Sequence, residues 1–368
     1  MNIGENMKVV ISAGGSGGHI YPALAIINKI KEMEPNSEFL YIGTHNRMEK
    51  DIIPKYNIPF ESIEIYGISK NIFKNFKTFN AFIKSYKKCR RIIKKMNPDI
   101  VIGVGGFVTG PTLYAAHKLG YKTFIHEQNS IAGKANRFLS KYVDKIAISF
   151  ASSTKYFPKD KVVFTGNPCG DNALKTGIIS KSSFGFDDSK KLVLIVMGSQ
   201  GASTINDVVT SSLPKFENKN YQVLFVTGQN FYDKVSKNNI PSNVKVVPFI
   251  ENMTRIMKNV DLMVTRAGAS TLAEIEALRI PSILIPSPYV PNNHQYKNAL
   301  DLVNNKKALM IEEKHLNSNV LVNEIDSLIN DDNKLKELKN NMAKDGNINS
   351  SDLIYKEIKK LVDKGSVL

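Results

Sequence analysis

The chain has 368 residues, a hydrophobic content of 42%, a net charge of +16 and two cysteines, Cys89 and Cys169. That length suits two domains of roughly 150–200 residues each, and two cysteines exclude a disulfide framework or a CxxC zinc site and fit a reducing compartment. The opening "MNIGENMK" has no apolar signal core, and no uncharged apolar window reaches the ~18 residues of a membrane span.

In chain order, the first half alternates apolar runs with helical patterns. Strands are expected at "KVVIS" (8–12), "EFLYIG" (38–43), "FESIEIYG" (60–67), "DIVIGV" (99–104), "KTFIHE" (122–127), "KIAIS" (145–149) and "KVVFTG" (161–166). Helices are expected over 21–33, 76–96 and 110–119. Continuous apolar strands separated by helices indicate a parallel sheet covered on both faces. The stretch 167–190 is rich in Gly, Ser and Lys and reads as a linker. A second α/β series begins at "KLVLIVMGSQGA" (191–202), with further strands at 221–228, 244–250, 261–268, 281–286 and 308–311 and helices over 203–213, 270–278 and 293–304. The tail 315–368 is polar and helical. The fold class is therefore α/β, with two doubly wound domains.

Both halves open on a strand, a glycine-rich turn and a helix. "AGGSGGH" (13–19) closes the first strand, "GVGGFVTGP" (103–111) a later one, and "MGSQGAST" (197–204) the first strand of the second series. Such turns present backbone N–H groups at a helix N-terminus and bind anions. None is a GxGxxG fingerprint or a Walker A loop. Ligands of open α/β sheets sit at the C-terminal ends of strands, so three such turns point to a diphosphate-bearing ligand. Ser16 and Ser199 add hydroxyl donors. "TRAGASTLAEIEAL" (265–278) places Glu274 in the first turns of a helix, within reach of ribose hydroxyls or of the helix dipole. "PSPYVPNNHQYKNA" (286–299) offers His294 and Gln295 to sugar hydroxyls.

Seven motifs in this order, "GGSGGHIYPALA" (14–25), "GVGGFVTGP", "HEQNSIAGKANR" (126–137), "TGNP" (165–168), "GSQGA" (198–202), "RAGASTLAE" (266–274) and "NNHQYKNA" (292–299), resemble the MurG family of peptidoglycan glycosyltransferases. The resemblance spans residues 7–310. It implies the GT-B architecture, two Rossmann-like doubly wound domains facing a central cleft. Residues 1–166 would form the acceptor and membrane-side domain, 167–345 the UDP-GlcNAc domain, and 346–368 a helix returning to the first domain. It also implies a donor, UDP-N-acetylglucosamine, and an acceptor, the undecaprenyl-linked lipid I. Ser199 would meet the diphosphate and Ile250 the uracil. Ala269, Ser270, Thr271, Leu272, Ala273 and Glu274 would line the nucleotide, with Glu274 on the ribose. Gln295 would meet the GlcNAc hydroxyls, and Ser16, Gly17, Gly18 and Asn129 would complete the donor site. The loop Gly105, Gly106 and Phe107 would serve the acceptor and its diphosphate. The sequence departs from the family pattern at Gly170, where an arginine is usual, and at Met197, where a glycine is usual.

The implied reaction is inverting transfer to a C4 hydroxyl, which needs a base and stabilisation of the leaving diphosphate. His19 is the expected base, since an imidazole is suited to proton transfer near neutral pH. His126 is the rival. No DxD, HExxH or Cys/His cluster is present, so neither a metal nor a cofactor is expected.

Lysine supplies 43 of the 50 basic residues, a bias that an AT-rich genome alone would give. Residues 65–98 nevertheless carry ten basic side chains and no acidic one. Phe79, Phe82, Ile83, Tyr86 and Ile93 keep helical spacing and are expected to face the core. Ahead of them Ile72, Phe73, Phe76 and Lys77, in an expected loop, suit docking on an anionic membrane surface. A peripheral protein on the cytoplasmic face of the cell membrane is the resulting expectation, with no nucleic-acid partner because no reading motif is present. A transferase with another lipid acceptor, and a sugar-nucleotide sensor without turnover, remain as alternatives.

Overall fold

In the computed structural model residues 6–67, 72–198, 202–344 and 349–363 are described, 72–77 as backbone alone. The chain forms two units, one of Met1–Cys169 with Ile348–Leu368 and one of Gly170–Asn347. The boundary falls inside the segment read as a linker. That segment is not structureless: Cys169–Lys175 is a helix and Lys181–Phe184 a 3-10 turn.

The first unit holds a parallel seven-stranded sheet. Its strands are β1 (Lys8–Ala13), β2 (Glu38–Thr44), β3 (Phe60–Ile63), β4 (Ile100–Gly105), β5 (Lys122–Glu127), β6 (Lys145–Ile148) and β7 (Val162–Phe164). They lie in the order β3-β2-β1-β4-β5-β6-β7. Successive side chains point to opposite faces of a strand. Val9 and Ile11 therefore pack with Leu24 and Ile27 of the helix Gly17–Met33, while Val10 packs with Cys89, Ile93 and Leu113 on the other face. Both faces are dry, which is why the strands read as unbroken apolar runs.

The helix expected over 76–96 runs from Ile72 to Met96, so "IFKNF" is helix rather than loop. Its buried line is Ala81, Ser85, Cys89 and Ile93, one residue per turn. Phe79, expected in the core, is 62% exposed. Small residues face inward because the helix Thr109–Leu119 lies against them, with Cys89 Sγ 3.5 Å from Thr112 Oγ1. Burial pushes the Cys89 thiol up to about 11. The side chains of Ile72, Phe73, Phe76 and Lys77 lie outside the described residues. Among the described residues no helix is long and apolar enough to cross a membrane.

The helix Ser350–Asp363 belongs to the first unit. Ile354 and Ile358 are buried in the cluster that holds Val9, Leu24 and Ile27. The Tyr355 hydroxyl donates to Glu34 at 2.8 Å, and Lys359 lies 3.2 Å from the same carboxylate.

The second unit repeats the plan with β8 (Leu192–Val196), β9 (Gln222–Val226), β10 (Val244–Val247), β11 (Leu262–Thr265), β12 (Ser282–Leu284) and β13 (Leu309–Met310). Their order is β10-β9-β8-β11-β12-β13, all parallel. In each sheet the order reverses once, between β1 and β4 and between β8 and β11. The loops leaving those paired strands diverge to opposite faces and open a crevice at the strand ends.

Candidate active site

The first crevice is bounded by the loops after β1 and β4. Gly15, Gly105 and Gly106 take φ of +93°, +113° and +90°, which L side chains rarely adopt. They also approach closely: a Cβ on Gly106 would lie 2.4 Å from the Gly14 oxygen, and one on Gly105 2.5 Å from His19 Cδ2. Gly14 N–H donates to the Gly105 oxygen at 3.2 Å, tying the two loops together.

His19 stands in the first turn of the helix Gly17–Met33, half-buried, with its ring on Gly105. Its Nδ1 lies 2.9 Å from the Gly14 carbonyl oxygen. A carbonyl only accepts, so Nδ1 carries the hydrogen, and in the neutral ring Nε2 carries the lone pair. Ser16 is the N-cap, exposed, and its hydroxyl makes no capping bond. The N–H groups of Gly17 and Gly18 have no acceptor within the helix. Phe107 is 55% exposed, with its ring over Gly67.

His126 is excluded as a base by position. It is fully buried, its Nε2 donates to Gly166 O at 3.0 Å, and its Nδ1 lies 2.9 Å from Gln128 Nε2. Burial pushes it down to about 4, so it stays neutral. Its neighbour Glu127 is a brace. Its carboxylate accepts from Asn129 N at 3.0 Å, Asn129 Nδ2 at 3.3 Å, Gly133 N at 2.9 Å and Asn136 Nδ2 at 2.8 Å. Asn129 is thereby fixed at the end of β5. Glu49, which nothing in "HNRMEKD" marks, is a second brace under the β1 loop.

At the second crevice, the helix Ala269–Leu278 starts directly after β11. Ala269, Ser270 and Thr271 offer first-turn N–H groups, and Ser270 Oγ is buried without a partner among the described residues. Leu272 is fully buried, and its N–H is bonded to Gly268 O at 2.9 Å. The N–H groups of Ala273 and Glu274 fall within the regular helical ladder, so Leu272 and Ala273 offer a ligand no polar group of their own. Glu274 is half-buried, and its carboxylate has no partner among the described residues. Loss of water pushes it up to about 8. Gln295 Oε1 accepts from Ser287 N at 2.9 Å, which turns the amide NH2 outward as a donor. The Ile250 side chain is buried, leaving only its main chain for a ligand. Ser199 lies outside the described residues.

Two residues to which the motifs gave no role join the loops of this crevice. Arg266, at the end of β11, donates through Nη1 to Ile285 O at 3.1 Å and to Glu313 Oε2 at 2.7 Å. Glu313 Oε1 accepts the Thr204 hydroxyl at 2.7 Å, in the first turn of the helix Ser203–Ser212. Gly170 has a steric reason. A Cβ there would lie 3.0 Å from Ala273 O and 3.2 Å from Ala277 Cβ, so a side chain at this position presses on the helix that carries Glu274, which must give by a few tenths of an ångström to admit it.

Residues 9–148 match the glycosyltransferase family 28 N-terminal domain, and residues 192–357 match the family 28 C-terminal domain. The chain belongs to glycosyltransferase family 28. Among family 28 relatives, a UDP-N-acetylglucosamine--N-acetylmuramyl-(pentapeptide) pyrophosphoryl-undecaprenol N-acetylglucosamine transferase of Bacillus cytotoxicus is 47% identical over 365 residues, covering 97% of this chain and all of the relative. The protein of the same name from Bacillus licheniformis is 45% identical, over 96% and 99% of the two chains. The crystal structure of Acinetobacter baumannii MurG superposes with a TM-score of 0.77 at 27% identity, over 96% and 99% of the two chains. The UDP-GlcNAc 2-epimerase of Neisseria meningitidis, at 15% identity and a TM-score of 0.67 over 96% and 100% of the two chains, shares the fold alone. This family 28 chain has the GT-B fold, with two Rossmann-like domains.

Proposed function

We propose that this chain transfers N-acetylglucosamine from UDP-N-acetylglucosamine to the C4 hydroxyl of undecaprenyl-diphospho-N-acetylmuramoyl-pentapeptide, with inversion. The observation that carries the reading is identity of 47% over whole lengths to a protein named for that transfer. The geometry supplies parts that the reaction needs. His19 Nε2 takes the C4 proton as the acceptor oxygen bonds to the anomeric carbon. The bond from that carbon to the diphosphate oxygen breaks, and UDP leaves with the electron pair. Charge growing on the diphosphate is met by N–H groups at helix N-termini and glycine loops, placed before the reaction begins. Glu274 accepts from ribose hydroxyls, and the Gln295 amide donates to the sugar. The run of ten basic residues over 65–98 docks the first unit on an anionic lipid surface, where the acceptor is anchored.

The test is UDP release from UDP-N-acetylglucosamine with a soluble short-chain acceptor. His19→Ala is expected to lower kcat by roughly 10²–10⁴-fold while donor affinity holds. No acceptor-dependent release by the wild type would refute the transfer, and undiminished kcat in His19→Ala would refute the base.

A further inference from the structure

Glu49 is completely buried, although it sits only five residues past the end of β2. Its Oε1 accepts the Thr44 N–H at 3.0 Å and the Thr44 hydroxyl at 2.6 Å. Its Oε2 accepts the Gly15 N–H at 3.1 Å. Two glycines wall it in. A Cβ on Gly43 would come 2.7 Å from Glu49 Cγ, and one on Gly14 2.5 Å from Glu49 Oε1. The carboxylate has one place to be.

The N–H of Gly15 and the C=O of Gly14 belong to one peptide group. Its N–H end is held by Glu49, and its C=O end accepts His19 Nδ1–H at 2.9 Å. We propose that Glu49 is a positioning residue that acts on His19 through the Gly14–Gly15 peptide. It fixes the Nδ1–H tautomer and strengthens the carbonyl that holds the imidazolium once Nε2 has taken a proton. Hydrogen bonds in a chain polarise one another, and a peptide bonded to an anion at its N–H becomes a better acceptor at its oxygen. In a catalytic triad the carboxylate touches the imidazole and sets its tautomer and orientation. Here one rigid, planar peptide stands between them. The left-handed turn at Gly15 aims that peptide both ways at once.

The role of Nε2 as base rests on the proposed function, whereas the link from Glu49 to His19 does not. Two readouts on the full chain keep them apart. The first is the ¹⁵N spectrum of histidine-labelled protein, with the His19 signals identified by their loss in His19→Asn. The second is kcat and KM for UDP-N-acetylglucosamine. In wild type the neutral His19 ring is expected as the Nδ1–H tautomer. Glu49→Gln keeps the volume but presents an NH2 where an oxygen accepted. The Nε2–H tautomer is expected to appear, and kcat to fall roughly 10–100-fold with KM changed less than about twofold. Glu49→Asp keeps the charge and withdraws it by one methylene. It is expected to behave as Glu49→Gln, and it serves in its place if the first variant does not fold. An unchanged ¹⁵N pattern beside a fallen kcat overturns the link and leaves Glu49 a brace of the fold. An altered pattern with kcat intact upholds the link and refutes His19 as base. A wild-type pattern in Glu49→Asp beside an altered one in Glu49→Gln overturns the peptide route in favour of a through-space field.

Discussion

The two crevices differ in what their carboxylates touch. At the first, Glu127 accepts four hydrogen bonds and Glu49 three, all from their own chain. At the second, among the described residues, Glu274 accepts none, Ser270 Oγ has no partner, and the Gln295 amide has only its oxygen engaged. A group saturated by the protein holds a loop in place and has little left for a ligand. A group left short keeps its hydrogen-bonding capacity for what binds, and the free protein bears the cost. The first crevice is a fixed platform for His19, and the second is lined by polar groups left open.

Removing a carboxylate is therefore expected to act in opposite senses at the two crevices. Glu127→Ala orphans four donors and should cost about 3–5 kcal/mol in urea unfolding; a cost under about 1 kcal/mol would show that the loop does not depend on it. Glu274→Gln should stabilise the free protein by about 1–3 kcal/mol near pH 8 while weakening UDP-N-acetylglucosamine binding, read by calorimetry. Its pH dependence has a definite sign. Folding raises this carboxyl from 4.5 to about 8, so the folded chain keeps a proton that the unfolded chain releases. Wild-type stability should fall as pH rises through that window, and the Gln variant should lose that slope. An unchanged slope would mean that Glu274 is solvated.

His126 gives a smaller effect in the acid range. Its folded value, about 4, lies below the ordinary 6.5, so stability should drain as pH falls from 6.5 towards 4. His126→Gln should flatten that limb, and retention of it would place the titration elsewhere. The smallest change is Gly170→Ala, whose methyl would press on Ala273 O. About 1 kcal/mol of destabilisation is expected, with donor affinity falling as the helix of Glu274 shifts. Full affinity would show that the two helices have slack.

The doubly wound sheets were legible in the sequence because strands buried on both faces read as unbroken apolar runs, and glycines punctuate their ends. What failed was Phe79 in the helix Ile72–Met96. The same spacing pointed Ile93 and Tyr86 inward, and Ile93 is buried with Tyr86 packed on its cluster. The close helical neighbour, however, sets small residues such as Ala81 and Ser85 on the buried line where Phe79 was expected, and that neighbour is a tertiary fact. His19, Gln295 and Glu274 could be nominated from motifs. Glu49 and Glu313 could not, and Arg266 stood in a motif without a role, because their roles come from partners such as Gly15, Thr44 and Thr204, which the fold alone brings near.

The helix Ser350–Asp363 completes a core begun at Met7. The whole second unit is thus spliced into the first along the chain. A ribosome makes residues 170–347 before it makes the segment that fills the space beside Leu24 and Ile27. Until then the earlier unit waits with an apolar trough uncovered, while the later one can already close. The part of the protein synthesised first is the last to finish folding, and the newborn chain carries exposed apolar surface for the interval.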